Sequence, residues 1–263
     1  MNVAENHLVF VFSPHPDDEA IAAGGTIVRH KTKGDRVIII FVTDGSESHA
    51  AVLGIHDDPV PAELARIRRS ESIESAAKLH VPAQDVVQLH LQDTRVANDA
   101  GSLATAIDGL LQRFPEVNTI YLPDPDRELN ADHRVIGATV IERVNHLGLE
   151  PALLKYVVWD KDLEKAFEYQ NRLDVPAVVD DDELLVVHDI ESFHKDKMAA
   201  LAEHKTQVTM FSKSQVRTVV PPWLINKLET QMSETFRIHA LRPRENNHGD
   251  VIVRSFEEAR TRQ

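Results

Sequence analysis

The stretch Leu8–Glu19, LVFVFSPHPDDE, decides how the rest of the chain is interpreted. It opens with the apolar run Leu8–Phe12, and a continuous apolar run is typical of a parallel strand covered on both faces. The run passes into a segment with one histidine and three acids, and apolar residues at helical spacing then continue up to Gly34. The stretch therefore predicts a buried strand that turns into a helix, which is where open α/β sheets bind ligands.

The same arrangement recurs along the chain, because further apolar runs end in polar residues and segments with helical periodicity separate them. Predicted strands lie at 8–12, 37–42, 86–91, 117–122, 153–159, 184–188 and 234–240. Predicted helices lie at 20–33, 62–79, 103–114, 133–147, 163–169, 192–211 and 223–232, with an extended segment at 175–179. This alternation predicts an α/β fold with a doubly wound, mostly parallel sheet, helices on both faces and a C-terminal elaboration.

The length and composition of the chain favour a single domain. With 263 residues and 42% hydrophobic content, the chain is long enough to build one substantial core. We expect a single domain over 1–263. Within it, 1–150 form the core, 151–241 add the strands and helices that complete a pocket, and 242–263 form a charged tail.

Charge and hydropathy restrict the expected partners. The formal net charge of −13 argues against nucleic acid, because such binding depends on Lys and Arg that neutralise phosphates. Residues 1–7 lack the features of a signal peptide, and no stretch reaches the length of a membrane span. We therefore expect a cytoplasmic protein that acts on a small molecule, binds neither nucleic acid nor membrane, and forms a homo-oligomer with its charged tail available for assembly.

Metal ligation is one chemistry that these residue types suggest. The sequence has no cysteine, so any metal ligands must be His, Asp or Glu. His15 and Asp18 are three positions apart, so their side chains can converge where the strand turns into a helix. A catalytic zinc needs three protein ligands and an open position, and His133 at another strand exit can supply the third. Asp17, adjacent to a ligand, is then placed to take a proton from water.

An ordinary helix start explains part of the same pattern. Pro16 suits the first helical position, and the acids that follow it favour the positive end of the helix dipole. Capping does not account for His15, although a histidine beside acids can also be a hydrogen-bonded residue without a metal. Asp132 is predicted to cap the helix that begins at His133. On the residues alone, the metal-site and structural interpretations both stay open.

Two motifs then make the chain recognisable. The segment Pro14–Glu19, PHPDDE, together with the later Asp132–Arg134, DHR, resembles the LmbE-like/PIG-L family of zinc-dependent N-acetylglucosaminyl deacetylases. Supporting segments occur in the order that this family shows. They are Thr43–Gly45, Arg68-x-x-Glu71, Asp93, the 197–207 helix and Glu234–Arg237. The first motif, placed after a first strand, is the specific signal, and the resemblance covers most of the chain.

The resemblance implies a Rossmann-like sheet and one Zn2+ held by His15, Asp18 and His133. It implies Asp17 as the general base and N-acyl amino sugars as substrates. Positions matching the residues that touch the sugar or its substituent are Arg68 and Asp93, and Asp44 at the second strand exit is a further candidate. A solvated helix charge at Arg68 and a turn-forming Asp93 are the structural alternatives.

One position departs from the family pattern. Many members carry a histidine where this chain has Asn130, three residues before His133. Asparagine can donate a neutral hydrogen bond to an oxyanion, but it cannot deliver a proton to a leaving amine. We therefore expect Asn130 to be catalytic as a donor and Asp17 to serve as both base and acid, unless Arg127 or His248 replaces the missing histidine. Asparagine is also well suited to a plain turn.

These observations lead to a functional prediction with alternatives. The leading prediction is a hydrolase that removes the acetyl group from an N-acetylated amino sugar of the GlcNAc type by zinc-activated water. The alternatives are an amidase that acts on a different N-acyl or thiol conjugate, and a non-catalytic protein that binds zinc and carbohydrate. The loop 46–61 is where such specificity could be decided. A nucleotide-binding dehydrogenase is disfavoured, because no Gly-x-Gly-x-x-Gly follows the first strand.

Overall fold

The computed structural model describes residues 6–160, 184–240 and 251–253, and within these ranges eight strands form one sheet. The strands are β1 (Leu8–Ser13), β2 (Arg36–Thr43), β3 (Val86–Leu91), β4 (Thr119–Pro123), β5 (Ala152–Tyr156), β6 (Leu185–Asp189), β7 (Ser233–Ala240) and β8 (Val251–Val253). Their order across the sheet is β3-β2-β1-β4-β5-β7-β6-β8. The first five strands in this order pair in parallel, and the last three are joined antiparallel. The α/β prediction with a mostly parallel sheet is confirmed.

Seven α-helices lie within the described ranges. They are α1 (Asp18–Thr32), α2 (Pro61–Lys78), α3 (Ala100–Arg113), α4 (Ala131–His146), α5 (His194–Glu203), α6 (Lys205–Val208) and α7 (Pro222–Thr230). Alternate residues of β1 enter two separate apolar cores: Val9 and Val11 belong to one, and Phe10 and Phe12 to the other. The first core contains residues of α1, α2, α5 and α7, and the second contains residues of α3 and α4. Both faces of the sheet are therefore covered, which explains the continuous apolar strands.

The prediction of one helix over 192–211 is wrong. A short 3-10 turn precedes α5, and the chain leaves the helical conformation at His204, with φ −77° and ψ 56°, before α6 begins. The cause is a tertiary contact, because His204 is buried and its Nε2 lies 2.7 Å from Oε1 of Glu19. The predicted helix 163–169 and extended segment 175–179 lie outside the described residues.

The predicted N-cap of α4 is also wrong. Asn130 takes that place, and its Oδ1 accepts the N–H groups of Asp132 at 2.8 Å and His133 at 3.4 Å. Asp132 instead accepts hydrogen bonds from the backbone N–H groups of Thr94 and Val96. Both residue types cap helices well, so local sequence could not separate them.

The parallel half of the sheet positions the polar residues. Because its strands run in one direction, the segments that follow β1, β2, β3 and β4 meet at the same edge. The loop 46–61 after β2 contains one π-helical turn, His49–Leu53. Among the described helices, none combines the length and apolar character needed to cross a membrane.

Candidate metal centre

Three side chains that are distant in sequence converge at the carboxyl edge of the sheet. Nδ1 of His15 lies 3.1 Å from Nε2 of His133 and 3.3 Å from Oδ2 of Asp18, and that carboxylate oxygen lies 3.1 Å from Nε2 of His133. The side chains of Asp18 and His133 are 2% and 0% exposed, and that of His15 is 13% exposed. The loop after β1, the first turn of α1 and the first turn of α4 supply these residues.

The spacing of these donor atoms fits a small divalent cation. Two ligands at 2.0–2.1 Å from a tetrahedral zinc are separated by about 3.3 Å, and the three observed separations are 3.1, 3.1 and 3.3 Å. Two imidazole nitrogens and one carboxylate oxygen also form a donor set that zinc commonly accepts. The trio that the sequence singled out is therefore brought together in an arrangement that can hold a metal.

The far nitrogen of His133 faces a carboxylate that the sequence did not single out. Oε1 of Glu128 lies 3.2 Å from Nδ1 of His133, and both side chains are buried. Glu128 is itself fixed, because its carboxylate accepts the N–H groups of Val158 at 2.6 Å and Trp159 at 3.1 Å. A carboxylate behind a metal-binding histidine orients the ring and sets its tautomer. No local sequence pattern around Glu128 predicts its contact with His133.

His15 has carboxylates on its far side as well. Its Nε2 lies 3.2 Å from Oδ1 of Asp93 and 3.5 Å from Oδ2 of Asp132. These three residues form a second group whose donor atoms could surround a cation. We favour a supporting role for the two carboxylates, because Asp93 also accepts Glu47 N–H and Asp132 accepts two backbone N–H groups. An N–H at Nε2 of His15 would then leave the Nδ1 lone pair directed at His133 and Asp18.

The electrostatics of the cluster are dominated by buried acids. Burial would lower the pKa of His133, but Asp18 and Glu128 outweigh it and raise that pKa to about 9. Burial also opposes charge on Asp18, yet His133 and His15 hold its pKa well below the ordinary value. For Asp93, His15 likewise outweighs burial and lowers the pKa to about 2. The cluster thus concentrates negative charge around two imidazoles, which favours a cation.

Asp17 lies beside the trio at the start of α1, in an unusual backbone conformation. Its φ is 141° and its ψ is −27°, a region that residues with a side chain rarely adopt. The residue is 8% exposed. Burial raises the pKa of its carboxyl to about 7, although the Arg68 guanidinium, with Nη2 at 3.4 Å from Oδ2, acts in the opposite direction.

The structure places Arg68 inside the protein. It is 1% exposed, and its guanidinium donates to the backbone oxygens of Gly45, at 2.9 Å, and Pro16. Gly45 is required for this approach, because a Cβ there would collide with the Arg68 guanidinium and the residue has φ +65°. The solvated alternative for Arg68 is excluded.

Asp44, at the end of β2, and Asn130, at the start of α4, lie at the same edge of the sheet. Asp44 is half-buried, and its Oδ1 accepts the N–H groups of Ser46 at 3.0 Å and Asp93 at 3.4 Å. The side-chain oxygen of Asn130, Oδ1, accepts hydrogen bonds from the first turn of α4. Arg127 pairs with Asp160 at 3.1 Å, and His248 lies outside the described residues.

Residues 10–144 match the PIG-L family model, described as GlcNAc-PI de-N-acetylase. Diacetylchitobiose deacetylase from Thermococcus kodakarensis is 29% identical over 143 residues, which are 54% of this chain and 50% of that protein. The chain thus matches only half the length of that relative. The probable N-acetyl-alpha-D-glucosaminyl L-malate deacetylase 2 from Bacillus cereus is 28% identical over 77% of this chain and 84% of its own length.

A solved structure shows the same fold. The N,N'-diacetylchitobiose deacetylase from Pyrococcus horikoshii superposes with a TM-score of 0.62. The match covers 89% of this chain and 84% of that protein at 23% identity.

Proposed function

The chain belongs to the PIG-L family of GlcNAc-PI de-N-acetylases, and on that premise we propose that it is a metal-dependent hydrolase that removes the acetyl group from an N-acetylated, glucosamine-type sugar. One observation carries the proposal. His15, Asp18 and His133 present three donor atoms 3.1–3.3 Å apart, with the buried Asp17 carboxyl adjoining them in sequence. The relatives named deacetylases act on diacetylchitobiose and, in one probable case, on a GlcNAc-malate conjugate, which supports the substrate class.

We propose Zn2+ as the cation, held by His15, Asp18 and His133. When bound, such a cation polarises a carbonyl and lowers the pKa of water. Glu128, Asp93 and Asp132 would keep the two imidazole rings oriented from their far sides, as carboxylates behind metal-binding histidines do.

Asp17 is proposed as the group that moves the proton. Its carboxylate would take a proton from the attacking water and return it to the nitrogen of the sugar as the carbon–nitrogen bond breaks, so that acetate and a free amine leave. Burial raises the pKa of this carboxyl in the cation-free protein, which makes its protonated form easier to reach once the water has lost its proton. A cation at the cluster would lower that pKa and favour the base form.

Substrate contacts are assigned to residues around the same edge. The Asn130 carbonyl oxygen caps α4, which leaves its Nδ2 amide group to donate a hydrogen bond to the developing oxyanion. Asp93 and Asp44 are proposed to accept hydrogen bonds from sugar hydroxyls. For Arg68, the complete burial of the guanidinium favours a role in holding the Asp17 loop, with any contact to the sugar limited to an edge of the group.

The test is release of primary amine from N-acetylglucosamine and N,N'-diacetylchitobiose by the zinc-loaded protein. Asp17→Asn should keep the metal and lower kcat by about 10²–10⁴-fold, the usual contribution of a positioned acid–base group. Metal content is measured on the same sample. Full activity in this variant would contradict the role of Asp17.

Two other outcomes would redirect the assignment. Amine release from another N-acyl compound or a thiol conjugate, with none from the sugars, would identify an amidase of different specificity. A zinc-loaded protein that binds chitobiose and releases no amine from any of these compounds would indicate a non-catalytic carbohydrate-binding protein.

A further inference from the structure

The peptide unit between Pro16 and Asp17 is held at both ends by buried, oppositely charged side chains. Its carbonyl oxygen accepts a hydrogen bond from Nη2 of Arg68. Its N–H group donates to Oε2 of Glu19 at 3.1 Å. The peptide is trans, so these two groups point in opposite directions and the two contacts together fix its plane.

The other side of Asp17 is fixed by the helix. The carbonyl oxygen of Asp17 accepts the N–H groups of Ala20 at 3.1 Å and Ile21 at 3.0 Å in the first turn of α1. The Pro16–Asp17 peptide is fixed by Arg68 and Glu19, and the peptide that follows Asp17 is fixed by the helix. The φ angle of Asp17 between them is therefore determined by these contacts. Its value of 141° lies in a region that a residue with a side chain occupies only when neighbouring contacts impose it.

Glu19 is fixed by contacts from three other parts of the chain. Its Oε1 lies 2.7 Å from Nε2 of His204 and accepts the Ser75 hydroxyl at 2.6 Å. Its Oε2 accepts the Ser13 hydroxyl at 3.3 Å in addition to the Asp17 N–H. Glu19, Ser75 and His204 are all buried, so this carboxylate cannot exchange its partners for water.

We propose that Glu19, clamped by His204 and Ser75, is a positioning residue that imposes the backbone conformation of Asp17 and thereby aims the Asp17 carboxyl at the reacting amide. Arg68 forms the opposite side of the same clamp. The inference rests on the proposed function, because it takes Asp17 as the group that moves the proton. It also explains why the helix predicted over 192–211 breaks at His204, since the break delivers that ring to Glu19.

The chain supplies a matched control at Glu71. This carboxylate is also buried and accepts the N–H and hydroxyl groups of Thr206 at 2.9 and 2.6 Å. It therefore ties α2 to the same segment that carries His204, but none of its hydrogen bonds described here reaches the Asp17 peptide. A loss of packing between α2 and this segment would affect Glu71→Ala and Glu19→Ala alike.

The experiment is a double-mutant cycle between Asp17→Asn and Glu19→Ala, with N,N'-diacetylchitobiose as the assayed compound and metal content measured for each variant. Glu19→Ala should lower kcat by about 100-fold, the cost of a misplaced reacting group, with KM and metal content close to wild type. In the Asp17→Asn background the same change should lower kcat less than about threefold, because residues that act through one group are not additive. Glu71→Ala should stay near wild type.

The conservative variant provides the second arm. In Glu19→Gln the side-chain carbonyl can still accept the Asp17 N–H, so its kcat should recover most of the loss. If Glu19→Ala does not fold, Glu19→Asp carries the same cycle, because the shorter side chain withdraws the oxygen that accepts the Asp17 N–H at 3.1 Å. Equal losses in both backgrounds, or wild-type kcat in Glu19→Ala, would overturn the inference while leaving the proposed function standing. Wild-type kcat in Asp17→Asn would instead overturn the role of Asp17 itself.

Discussion

Two of the histidine clusters within the described residues differ in one decisive respect. The edge cluster comprises His15, Asp18, His133, Glu128, Asp93 and Asp132. The inner cluster comprises Thr26, His30, Asp35, Tyr121 and His188. In the inner cluster both ring nitrogens of His30 have one partner each, Asp35 at 2.7 Å and Tyr121 at 2.9 Å. In the edge cluster three donor atoms face one another across 3.1–3.3 Å.

The pKa values of His30 in the inner cluster and His133 in the edge cluster are shifted in opposite directions. Burial lowers the pKa of His30, and the single carboxylate of Asp35 does not compensate. Burial would also lower the pKa of His133, but Asp18 and Glu128 together raise that pKa to about 9. Burial of a histidine is thus common to both clusters. The convergence of donor atoms and the surplus of carboxylates are what identify a candidate metal centre.

Removing a ligand from the edge cluster should have the largest effect. In His133→Ala the proposed zinc loses one of three ligands, and Asp18 and Glu128 lose their shared partner. Bound zinc and amine release should both fall below detection, because three protein ligands are needed for a stable catalytic site. Elemental analysis after dialysis and circular dichroism would measure binding and folding. A folded variant that still holds one equivalent of zinc would contradict the assignment.

The carboxylate behind His133 should have an intermediate effect. Glu128→Gln keeps the size of the side chain but removes its charge, so zinc affinity or activity should fall about 10–100-fold. The matched control is Asp35→Asn, because Asp35 is also buried against a histidine nitrogen, in the inner cluster. Chelator competition would measure both variants. Equal affinities in wild type and Glu128→Gln would show that Glu128 serves only to hold the 158–159 backbone.

Zinc affinity should rise with pH. Because the pKa of His133 is raised to about 9 without a cation, its ring carries a proton at neutral pH that zinc must displace. Burial would lower the pKa of His15, but Asp93, Asp132 and Asp18 raise it as well. The apparent association constant should therefore increase about tenfold per pH unit for each displaced proton. Binding heats in buffers of different ionisation enthalpy would count the protons. A constant affinity between about pH 6 and pH 8 would mean that no proton is displaced.

A substitution in the inner cluster should change the stability of the protein and leave zinc binding and catalysis unchanged. His30→Leu fills a similar space but leaves Asp35 and Tyr121 without their shared partner, which should cost about 1–3 kcal/mol in the free energy of unfolding. Zinc affinity and kcat should remain at wild-type values. Denaturant titration with a parallel zinc titration would check both. A loss of zinc from this variant would remove the distinction between the clusters.

Sequence alone predicted the parallel half of the fold well, for local reasons. The strands β1 and β2 are dominated by apolar runs, and α1 to α4 carry helical periodicity, so each signal lies within its own segment. The placement of β7 between β5 and β6 could not be predicted, because antiparallel pairing across a long connection leaves no local trace. The break at His204 depends on Glu19, which lies 185 positions away.

The site was predictable where its residues form motifs. His15, Asp17 and Asp18 are contiguous with a strand exit, and His133 follows another, so both could be assigned to the same edge of the sheet. Glu128 was not predictable, because its contact with His133 depends on the backbone of 158–159. Arg68 was singled out by position, but its burial against Gly45 and Pro16 required the structure.

A zinc-edge anomalous difference map from crystals of the protein loaded with one equivalent of Zn2+ would locate the metal directly. A single peak is expected within bonding distance of Nδ1 of His15, the Asp18 carboxylate and Nε2 of His133. A peak between Nε2 of His15, Asp93 and Asp132, or no peak at the edge cluster, would contradict this ligand assignment.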